Sequence, residues 1–200
     1  MTDRLAPTPE GIARAAELLL DGAVVAFPTD TVYGVAVAAA RTDRIDALFE
    51  LKRRPPDRRI PMLVTGLEQA VEHGAVVDDR ARAVADRFWP GALTIVLPLG
   101  DDTQAFRVPD HEVALALIGA AGPILATSAN ISDQPDTLGA DEVLIAFATQ
   151  PDELAAVVDG GPVPGGVAST VVDLSVMPAR ILRQGPIDQG QLSEVVELAP

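Results

Sequence analysis

Apolar residues recur at helical spacing in some stretches of the chain and form unbroken runs in others. After the capping pattern Thr8-Pro9-Glu10, apolar side chains continue at helical spacing to Leu20, which predicts the first helix. The run from Ala23 to Phe27 is entirely apolar and predicts a buried strand. The same two patterns predict helices at 42–51, 67–72, 79–88, 112–120, 140–148 and 188–197, and strands at 61–64, 93–97, 106–108, 124–126, 171–174 and 180–182.

The order of these elements indicates the fold class. Helices and strands alternate in the first half of the chain, and the later strands follow one another more closely. This order predicts an α/β protein with a twisted mixed sheet, parallel and antiparallel, and flanking helices. Neither an internal repeat nor a Gly/Ser-rich linker divides the 200 residues, so we expect residues 1–200 to form a single domain.

Composition excludes several kinds of chemistry. The chain has no cysteine, which excludes disulfides, thiolate nucleophiles and cysteine-ligated metals. Its two histidines, His73 and His111, are too few and too far apart for a histidine-based metal site, so we expect no metal-binding side chains. The net charge of −14 argues against a surface built to bind nucleic acid. Without a signal peptide or an apolar run of the ~18 residues needed to span a bilayer, we expect a soluble, cytoplasmic protein.

Basic residues are unevenly distributed. Lys52 is the single lysine among fifteen basic residues, and five of the fifteen lie between positions 52 and 59. Lys52 ends a predicted helix, where a cation stabilises the helix dipole, so capping is one interpretation. Capping does not require five cations. A concentrated positive loop on an acidic protein also suits a polyanionic ligand such as a nucleoside triphosphate.

Polar residues follow several of the predicted strands. The loops at 28–34 and 126–132 leave the ends of apolar strands, where ligands bind in open α/β sheets, although ordinary turns also contain such residues. Arg107 and Arg183 lie within apolar, strand-like runs, and each must either face a cavity that holds an anion or pair with a carboxylate. The chain lacks the P-loop and the Rossmann fingerprint, so ATP would need a different architecture.

Seven motifs in sequence order resemble the YrdC-like threonylcarbamoyl-AMP synthases, in their single-domain form. They cover about residues 10–190, nearly the whole chain. We therefore expect the chain to lack the additional C-terminal domain of the larger family members. The motifs are Pro28-Thr-Asp-Thr-Val-Tyr-Gly34, Lys52-Arg-Arg-Pro55, Phe88-Trp-Pro-Gly-Ala-Leu-Thr94, Arg107-Val-Pro-Asp-His111, Ser128-Ala-Asn-Ile-Ser132, Ser169-Thr-Val-Val-Asp173 and Ile181-Leu-Arg-Gln-Gly185.

The resemblance implies a YrdC-like fold, in which the mixed sheet curls around a central cavity, and a nucleotidyltransferase activity. L-threonine, bicarbonate and ATP, with Mg2+ on the triphosphate, would give threonylcarbamoyl-AMP and pyrophosphate. The product would pass to a tRNA threonylcarbamoyl transferase complex that makes N6-threonylcarbamoyladenosine. Such chemistry requires positioning and charge neutralisation around a phosphoryl centre, for which cations and hydroxyls suffice.

The resemblance also implies roles for individual residues. Lys52 and Arg54 resemble the catalytic phosphate-binding pair, from which we expect Lys52→Ala to fold normally and to release no pyrophosphate. The positions that resemble ATP contacts are Lys52, Arg54, Asn130 and Arg183. Those that resemble L-threonine contacts are Thr31, Arg58, Arg107, Ser128 and Ser169, with Arg107 as the arginine that clamps the substrate carboxylate.

Three positions depart from the family pattern. Arg58 stands where His, Lys or Asn is usual, Arg53 where a small residue is usual, and Asp133 where glycine is usual. Asp133 would place an acid near the expected phosphate site, where it could repel ATP or help to hold the magnesium ion.

Two alternative functions remain open at the level of sequence. The first is an RNA-binding or ribosome-maturation module, since the family has also been described as binding double-stranded RNA, and one basic loop could contact RNA weakly. The second is a carbamoyl-adenylate-forming enzyme that uses carbamoyl phosphate, as in related domains of much longer proteins.

Overall fold

The computed structural model describes residues 2–53, 59–150 and 153–199. In these ranges ten strands join into one sheet, in the order β1-β8-β2-β3-β7-β4-β6-β5-β9-β10. The strands are β1 (Asp3–Leu5), β2 (Val24–Phe27), β3 (Gly34–Ala38), β4 (Met62–Leu63), β5 (Leu93–Leu99), β6 (Asp102–Arg107), β7 (Ile124–Ser128), β8 (Leu154–Val158), β9 (Thr170–Asp173) and β10 (Arg180–Arg183).

The helices begin where the sequence supplies caps. Thr8 accepts a hydrogen bond from the Gly11 amide at the start of the first helix, and Asp188 forms a reciprocal capping box with Gln191 at the start of the last. Within the described ranges the helices are α1 (Pro9–Leu20), α2 (Ile45–Lys52), α3 (Leu67–Glu72), α4 (Asp79–Phe88), α5 (Glu112–Ala121), α6 (Ala140–Ala146) and α7 (Gln189–Ser193), with a 3-10 turn at Thr42–Arg44 before α2.

The sheet is mixed, as predicted. Strand β8 pairs in parallel with β1 and β2, β4 pairs in parallel with β6, and β5 pairs in parallel with β9. The remaining neighbours, β2 with β3, β3 with β7, β7 with β4, β6 with β5 and β9 with β10, are antiparallel. The α/β class predicted from the pattern of elements is therefore confirmed.

One face of the sheet is apolar at one end and polar farther along. Helices α1 and α5 pack against this face over β8, β2 and β3, through residues such as Leu19, Val25 and Leu117. Leu63 is paired with Arg107 on β6, so both side chains project to this same face. At one end, this face is apolar and is covered by helices. Farther along the sheet, the same face carries the buried cation Arg107.

The opposite face of the sheet carries a second apolar core. Leu93, Ile95 and Leu97 of β5 point into a second core cluster, which also contains Leu48 of α2 and Val84 of α4. Because side chains alternate along a strand, Thr94 and Val96 project to the other side. Packing of one face thus leaves the intervening residues of β5 free to line a cavity.

Three strands, β1, β3 and β8, were not predicted from the sequence. Strand β3 is Gly-Val-Ala-Val-Ala and β8 is Leu-Ala-Ala-Val-Val, so alanine and glycine replace the larger branched residues that are typical of strands. Strand β1 has only three residues, two of them exposed charged ones, and it pairs with β8 at the edge of the sheet. All three strands are stabilised by pairing with neighbouring strands. This pairing cannot be predicted from the local sequence.

Two departures from the family pattern share a backbone conformation. Arg53 has φ 50° and Asp133 has φ 64°, and they are the non-glycine residues with positive φ in the part of the chain that the structure describes. A left-handed conformation crowds a Cβ atom, so glycine, which has none, would adopt it with less strain at either position.

We expect Arg53→Gly and Asp133→Gly each to raise the free energy of unfolding by about 0.5–1 kcal/mol, because relief of the left-handed strain exceeds the added chain entropy. The gain is smaller for Asp133, because aspartate adopts this conformation more readily than arginine. Urea denaturation measures both. Ala83→Gly, at an exposed position inside α4, is the control and lowers the free energy of unfolding by about 1 kcal/mol. A loss of stability at Arg53 and Asp133 would contradict the strain argument.

Candidate active site

A cavity of about 540 Å³ opens on the uncovered part of the sheet face. The side chains that line it from β5 and β9 alternate along each strand, as the pleat requires. Its lining residues are Phe27, Thr29, Thr31, Val32, Gly34, Arg59, Pro61, Leu63, Thr94, Val96, Thr103, Ala105, Arg107, Ala126, Thr127, Ser128, Ala168, Ser169, Val171, Asp173, Leu182 and Arg183. The lining contains three arginines and seven Ser or Thr residues but one aspartate, so the cavity suits an anionic ligand.

Arg107, at the end of β6, is held by three protein groups. One terminal nitrogen of its guanidinium donates to Asp30 Oδ1 at 2.7 Å, the other donates to Thr31 Oγ1 at 3.2 Å, and Nε donates to the Gly91 carbonyl at 3.0 Å. Asp30 and Thr31 lie in the loop between β2 and β3, and Gly91 lies in the turn before β5. The orientation of the guanidinium is thus fixed before any ligand arrives.

Arg107 is only 8% exposed, so its charge depends on its partners. Burial lowers the pKa of the Arg107 guanidinium, and the neighbouring Asp30 carboxylate opposes part of that shift. The ordinary value lies so far above neutrality that the group stays protonated. Sequence reasoning offered a cavity or a carboxylate partner for Arg107, and the structure provides both.

Ser169 and Arg183 form a second polar corner of the cavity. The Arg183 side chain donates from Nε to the Ser169 carbonyl at 3.0 Å and from a terminal nitrogen to Ser169 Oγ at 3.1 Å. Burial lowers the pKa of Arg183, and the positive charge of Arg107 lowers it further. The two arginines therefore act on each other's charge across the same cavity.

Gly185 explains how Arg183 reaches Ser169. A Cβ atom at position 185 would lie 2.4 Å from the Ala168 carbonyl oxygen and 2.4 Å from the Thr170 amide nitrogen. The chain after β10 therefore passes directly against the residues that precede β9. This close approach, which only glycine allows, supports the hydrogen bonds of the Arg183 side chain.

Ser128 and Asn130 lie at the end of β7 and just beyond it. Ser128 Oγ donates to Asn130 Oδ1 at 2.6 Å, and Asn130 Nδ2 donates to the Gln134 carbonyl at 2.6 Å. Ser128 lines the cavity, whereas Asn130 is buried beside it. We call residues 128–130 the β7 loop.

Lys52 supports the β7 loop from behind. Its ammonium group donates to the carbonyls of Ser128 and Asn130, the latter at 2.7 Å, and to Asn130 Oδ1 at 3.0 Å. Lys52 is 3% exposed and is not among the residues that line the cavity. These three acceptors match the three N–H donors of an ammonium group. Its removal would leave buried acceptors without a donor, so Lys52→Ala is no longer expected to fold normally.

The predicted site residues divide into three groups. The structure brings Thr31, Arg107, Ser128, Ser169 and Arg183 to one cavity, and it places Lys52 and Asn130 immediately beside it. Arg54 and Arg58 lie outside the described residues.

Sequence reasoning assigned no role to Asp30 or Thr94, and it included Arg59 only as one cation of the positive loop, although all three contribute to the cavity or its clamp. One feature of the sequence could have pointed to Asp30. Arg107 was expected to face either an anion or a carboxylate, and Asp30 is an acidic residue in a predicted loop at the end of a strand.

The described residues contain no group of three His, Asp or Glu side chains suited to a metal ion. Asp133 is exposed, and Asp173, which lines the cavity, already accepts two hydrogen bonds from Ser175. Likewise, no helix in the described ranges combines the length and the apolar character that crossing a membrane requires.

Comparison with known proteins assigns the chain to a family. The model of the Sua5/YciO/YrdC family, described as telomere recombination, matches residues 17–185. This protein therefore belongs to the Sua5/YciO/YrdC family, and the expected YrdC-like fold is confirmed.

Several relatives are named threonylcarbamoyl-AMP synthase, and two of them are described here. The one from Bacillus subtilis is 39% identical over 208 residues, covering 98% of this chain and 59% of that protein. The one from Pyrococcus abyssi is 37% identical over 193 residues, covering 91% and 56%. A crystal structure of P. abyssi Sua5 complexed with L-threonine superposes with a TM-score of 0.90 at 34% identity, covering 100% of this chain and 63% of the other. This chain thus spans less than two thirds of the length of each.

Proposed function

We propose that this protein is an L-threonylcarbamoyladenylate synthase, which forms threonylcarbamoyl-AMP and pyrophosphate from L-threonine, bicarbonate and ATP. The observation that carries the proposal is the convergence of Arg107 and Arg183, with hydroxyl groups between them, on one cavity. This arrangement offers one cationic position for a carboxylate and another for a nucleotide. The L-threonine complex of P. abyssi Sua5 supports an amino acid as one occupant.

Arg107 would clamp the carboxylate of L-threonine. Asp30, Thr31 and the Gly91 carbonyl occupy three of its five N–H donors, which leaves two for a ligand. Two donors on a fixed guanidinium match the two oxygens of a carboxylate. Ser128 and Ser169 would add hydroxyl contacts to the same substrate, together with Thr31 and Arg58.

The nucleotide would lie toward Arg183 and the β7 loop. Arg183 and Asn130 would contact ATP, and Lys52 and Arg54 would bind or organise the phosphates. The triphosphate would carry Mg2+, held by phosphate oxygens and water and not by a cluster of protein carboxylates. Exposed Asp133 would then face the solvent side of the phosphates.

The reaction itself needs little covalent participation by the protein. The amine of L-threonine captures carbon dioxide derived from bicarbonate to give N-carboxythreonine. A carbamate oxygen then attacks the α-phosphorus of ATP, and the bond to the β-phosphate oxygen breaks to release pyrophosphate. Fixed cations lower the barrier by holding both reactants and by neutralising the charge on the phosphoryl group. We place the reaction in the cytoplasm, with transfer to tRNA by a separate threonylcarbamoyl transferase complex.

The test is incubation with L-threonine, bicarbonate and MgATP, followed by mass detection of the adenylate. We expect the threonylcarbamoyl-AMP mass only when all three substrates are present, with pyrophosphate in equal amount. Omission of L-threonine should lower pyrophosphate release to the background without enzyme. A chain that makes no adenylate under these conditions contradicts the proposal.

The same assay separates the alternatives. Product formation from carbamoyl phosphate and ATP, without L-threonine, would indicate the carbamoyl-adenylate enzyme. An RNA-binding module would instead show no turnover and would bind double-stranded RNA with an affinity that falls steeply between low and moderate salt.

A further inference from the structure

Asp173, the last residue of β9, is the one aspartate among the described residues that line the cavity, and it lies away from the guanidinium groups. Arg107 donates to the Gly91 carbonyl, just before β5. Arg183 donates to Ser169, just before β9. Four residues of extended chain lead from Ser169 to Asp173, a distance of about 13 Å. The cavity therefore has a cationic end and an acidic end.

Apolar side chains form the cavity wall next to Asp173. Strand pairing places Ala105, Val96 and Asp173 side by side across β6, β5 and β9. Val171 lies two residues before Asp173 on the same face of β9, and Leu182 lines the cavity from β10. These four apolar side chains suit the face of a planar ring, with Asp173 at its edge.

Asp173 retains the capacity to accept further hydrogen bonds. Its Oδ1 accepts from the Ser175 amide at 2.9 Å and from Ser175 Oγ at 2.5 Å. Ser175 is its only hydrogen-bond partner in the part of the chain that the structure describes, so Oδ2 is uncommitted there. Because a carboxylate accepts hydrogen bonds and donates none, a ligand group beside Oδ2 must be an N–H or O–H donor.

The two ends of the cavity give an ATP molecule one orientation. Arg107 and Arg183 attract its phosphates and the Asp173 carboxylate repels them, so the phosphates lie at the cationic end. The adenine ring then extends over the apolar wall toward Asp173. The exocyclic amine of adenine is an N–H donor, and it is the donor of ATP that lies farthest from the phosphates. The ribose hydroxyls lie much nearer to the phosphates and do not extend to the acidic end.

We infer that Asp173 determines nucleotide specificity by accepting a hydrogen bond from the exocyclic amine of adenine. The inference rests on the proposed function, which supplies ATP as the ligand. Inosine triphosphate has a carbonyl in place of this amine, so it would bring one acceptor against another. A site that selects in this way uses the unpaired acceptors to reject the wrong base.

Asp173→Asn tests the inference because it converts an acceptor into a donor. The amide oxygen can keep both hydrogen bonds from Ser175, which leaves the NH2 group in the place of Oδ2. Asp86→Asn, at an exposed position of α4, is the matched control, because it removes an equal charge outside the cavity. Pyrophosphate release gives KM and kcat for ATP, inosine triphosphate, 2′-deoxy-ATP and L-threonine. Thermal unfolding checks that each protein is folded.

We expect the wild type to prefer ATP over inosine triphosphate by about 10–100-fold in kcat/KM, the effect of one hydrogen bond to a charged group. Asp173→Asn should raise KM for ATP by about 10-fold and lower KM for inosine triphosphate, so that most of this preference is lost. KM for L-threonine and the preference for ATP over 2′-deoxy-ATP should stay within about twofold of the wild type. Asp86→Asn should leave every value within about twofold.

Three results overturn the inference. If Asp173→Asn leaves the preference for ATP unchanged, or lowers KM for both nucleotides equally, Asp173 acts through its charge or its turn and does not contact the amine. If the variant loses the preference for ATP over 2′-deoxy-ATP, the carboxylate contacts the ribose. A wild type that uses ATP and inosine triphosphate equally well rejects the inference without any variant.

Failure of the proposed function is a separate result. If the wild type makes no adenylate, the proposed function fails, and calorimetric titration of the same proteins with ATP and inosine triphosphate decides the inference by itself. A wild type that binds neither nucleotide rejects both.

Discussion

Replacement of Arg107 by lysine lowers kcat/KM for L-threonine by about 100-fold, equivalent to about 2.7 kcal/mol of transition-state stabilisation. KM for ATP stays within about threefold, because the lost group faces a carboxylate and not the nucleotide. Lysine retains the positive charge that Asp30 requires, so the variant tests the guanidinium fork without leaving a buried carboxylate unpaired. The measurement is initial-rate pyrophosphate release with each substrate varied in turn.

Arg80→Lys is the matched control for this variant. Arg80 is partly buried and donates to the carbonyls of Leu174 and Val176, but it does not line the cavity. Its replacement should leave both KM values within about twofold of the wild type. Equal losses for L-threonine and ATP in Arg107→Lys would remove Arg107 from the carboxylate-binding role.

Replacement of Lys52 by methionine lowers kcat/KM by about 1000-fold and the free energy of unfolding by about 2–4 kcal/mol. Methionine keeps most of the aliphatic stem and removes the ammonium group, so the carbonyls of Ser128 and Asn130 lose this donor, while Asn130 Oδ1 keeps the hydrogen bond from Ser128 Oγ. The β7 loop is then no longer held at the cavity. Because this loop contains Ser128 and Asn130, binding of both substrates weakens. Urea denaturation and separate binding titrations with ATP and L-threonine measure these effects.

The two substrates distinguish two roles for Lys52. A lysine that only binds phosphate would lose ATP affinity, keep L-threonine affinity and leave unfolding unchanged. That result would show that the ammonium group leaves the carbonyls of the β7 loop when nucleotide binds. Loss of affinity for both substrates, together with lower stability, supports a structural link between α2 and the β7 loop.

Local pattern was sufficient for most of the fold. The cap at Thr8 and the apolar run at Val24–Phe27 specify their elements within a few residues, so α1 and β2 were predicted with nearly correct bounds. By contrast, β3 is rich in alanine and becomes a strand because β2 and β7 pair with it on either side. Pairing energy of this kind comes from residues distant in sequence and leaves little local signal.

In the candidate site, too, some residues could be predicted from the sequence and others could not. Arg107 and Arg183 could be selected from sequence, because an isolated cation in an apolar run must face an anion or a cavity. Asp30 could not be matched to Arg107 in advance, since 77 positions separate them in the chain. The same holds for Thr94 and Ser169, which adjacent strands bring to within 2.8 Å.

Residue types and their order were therefore enough to establish the α/β class, the absence of cysteine chemistry and the set of cations and hydroxyls from which a site could be built. Tertiary structure alone decided how those groups are used: Arg107 is braced by Asp30, Thr94 shares a hydrogen bond with Ser169, and Lys52 holds the β7 loop from behind the cavity. The physical reason is that a hydrogen bond depends on distance and direction between two atoms, and only the pairing of strands places these atoms together.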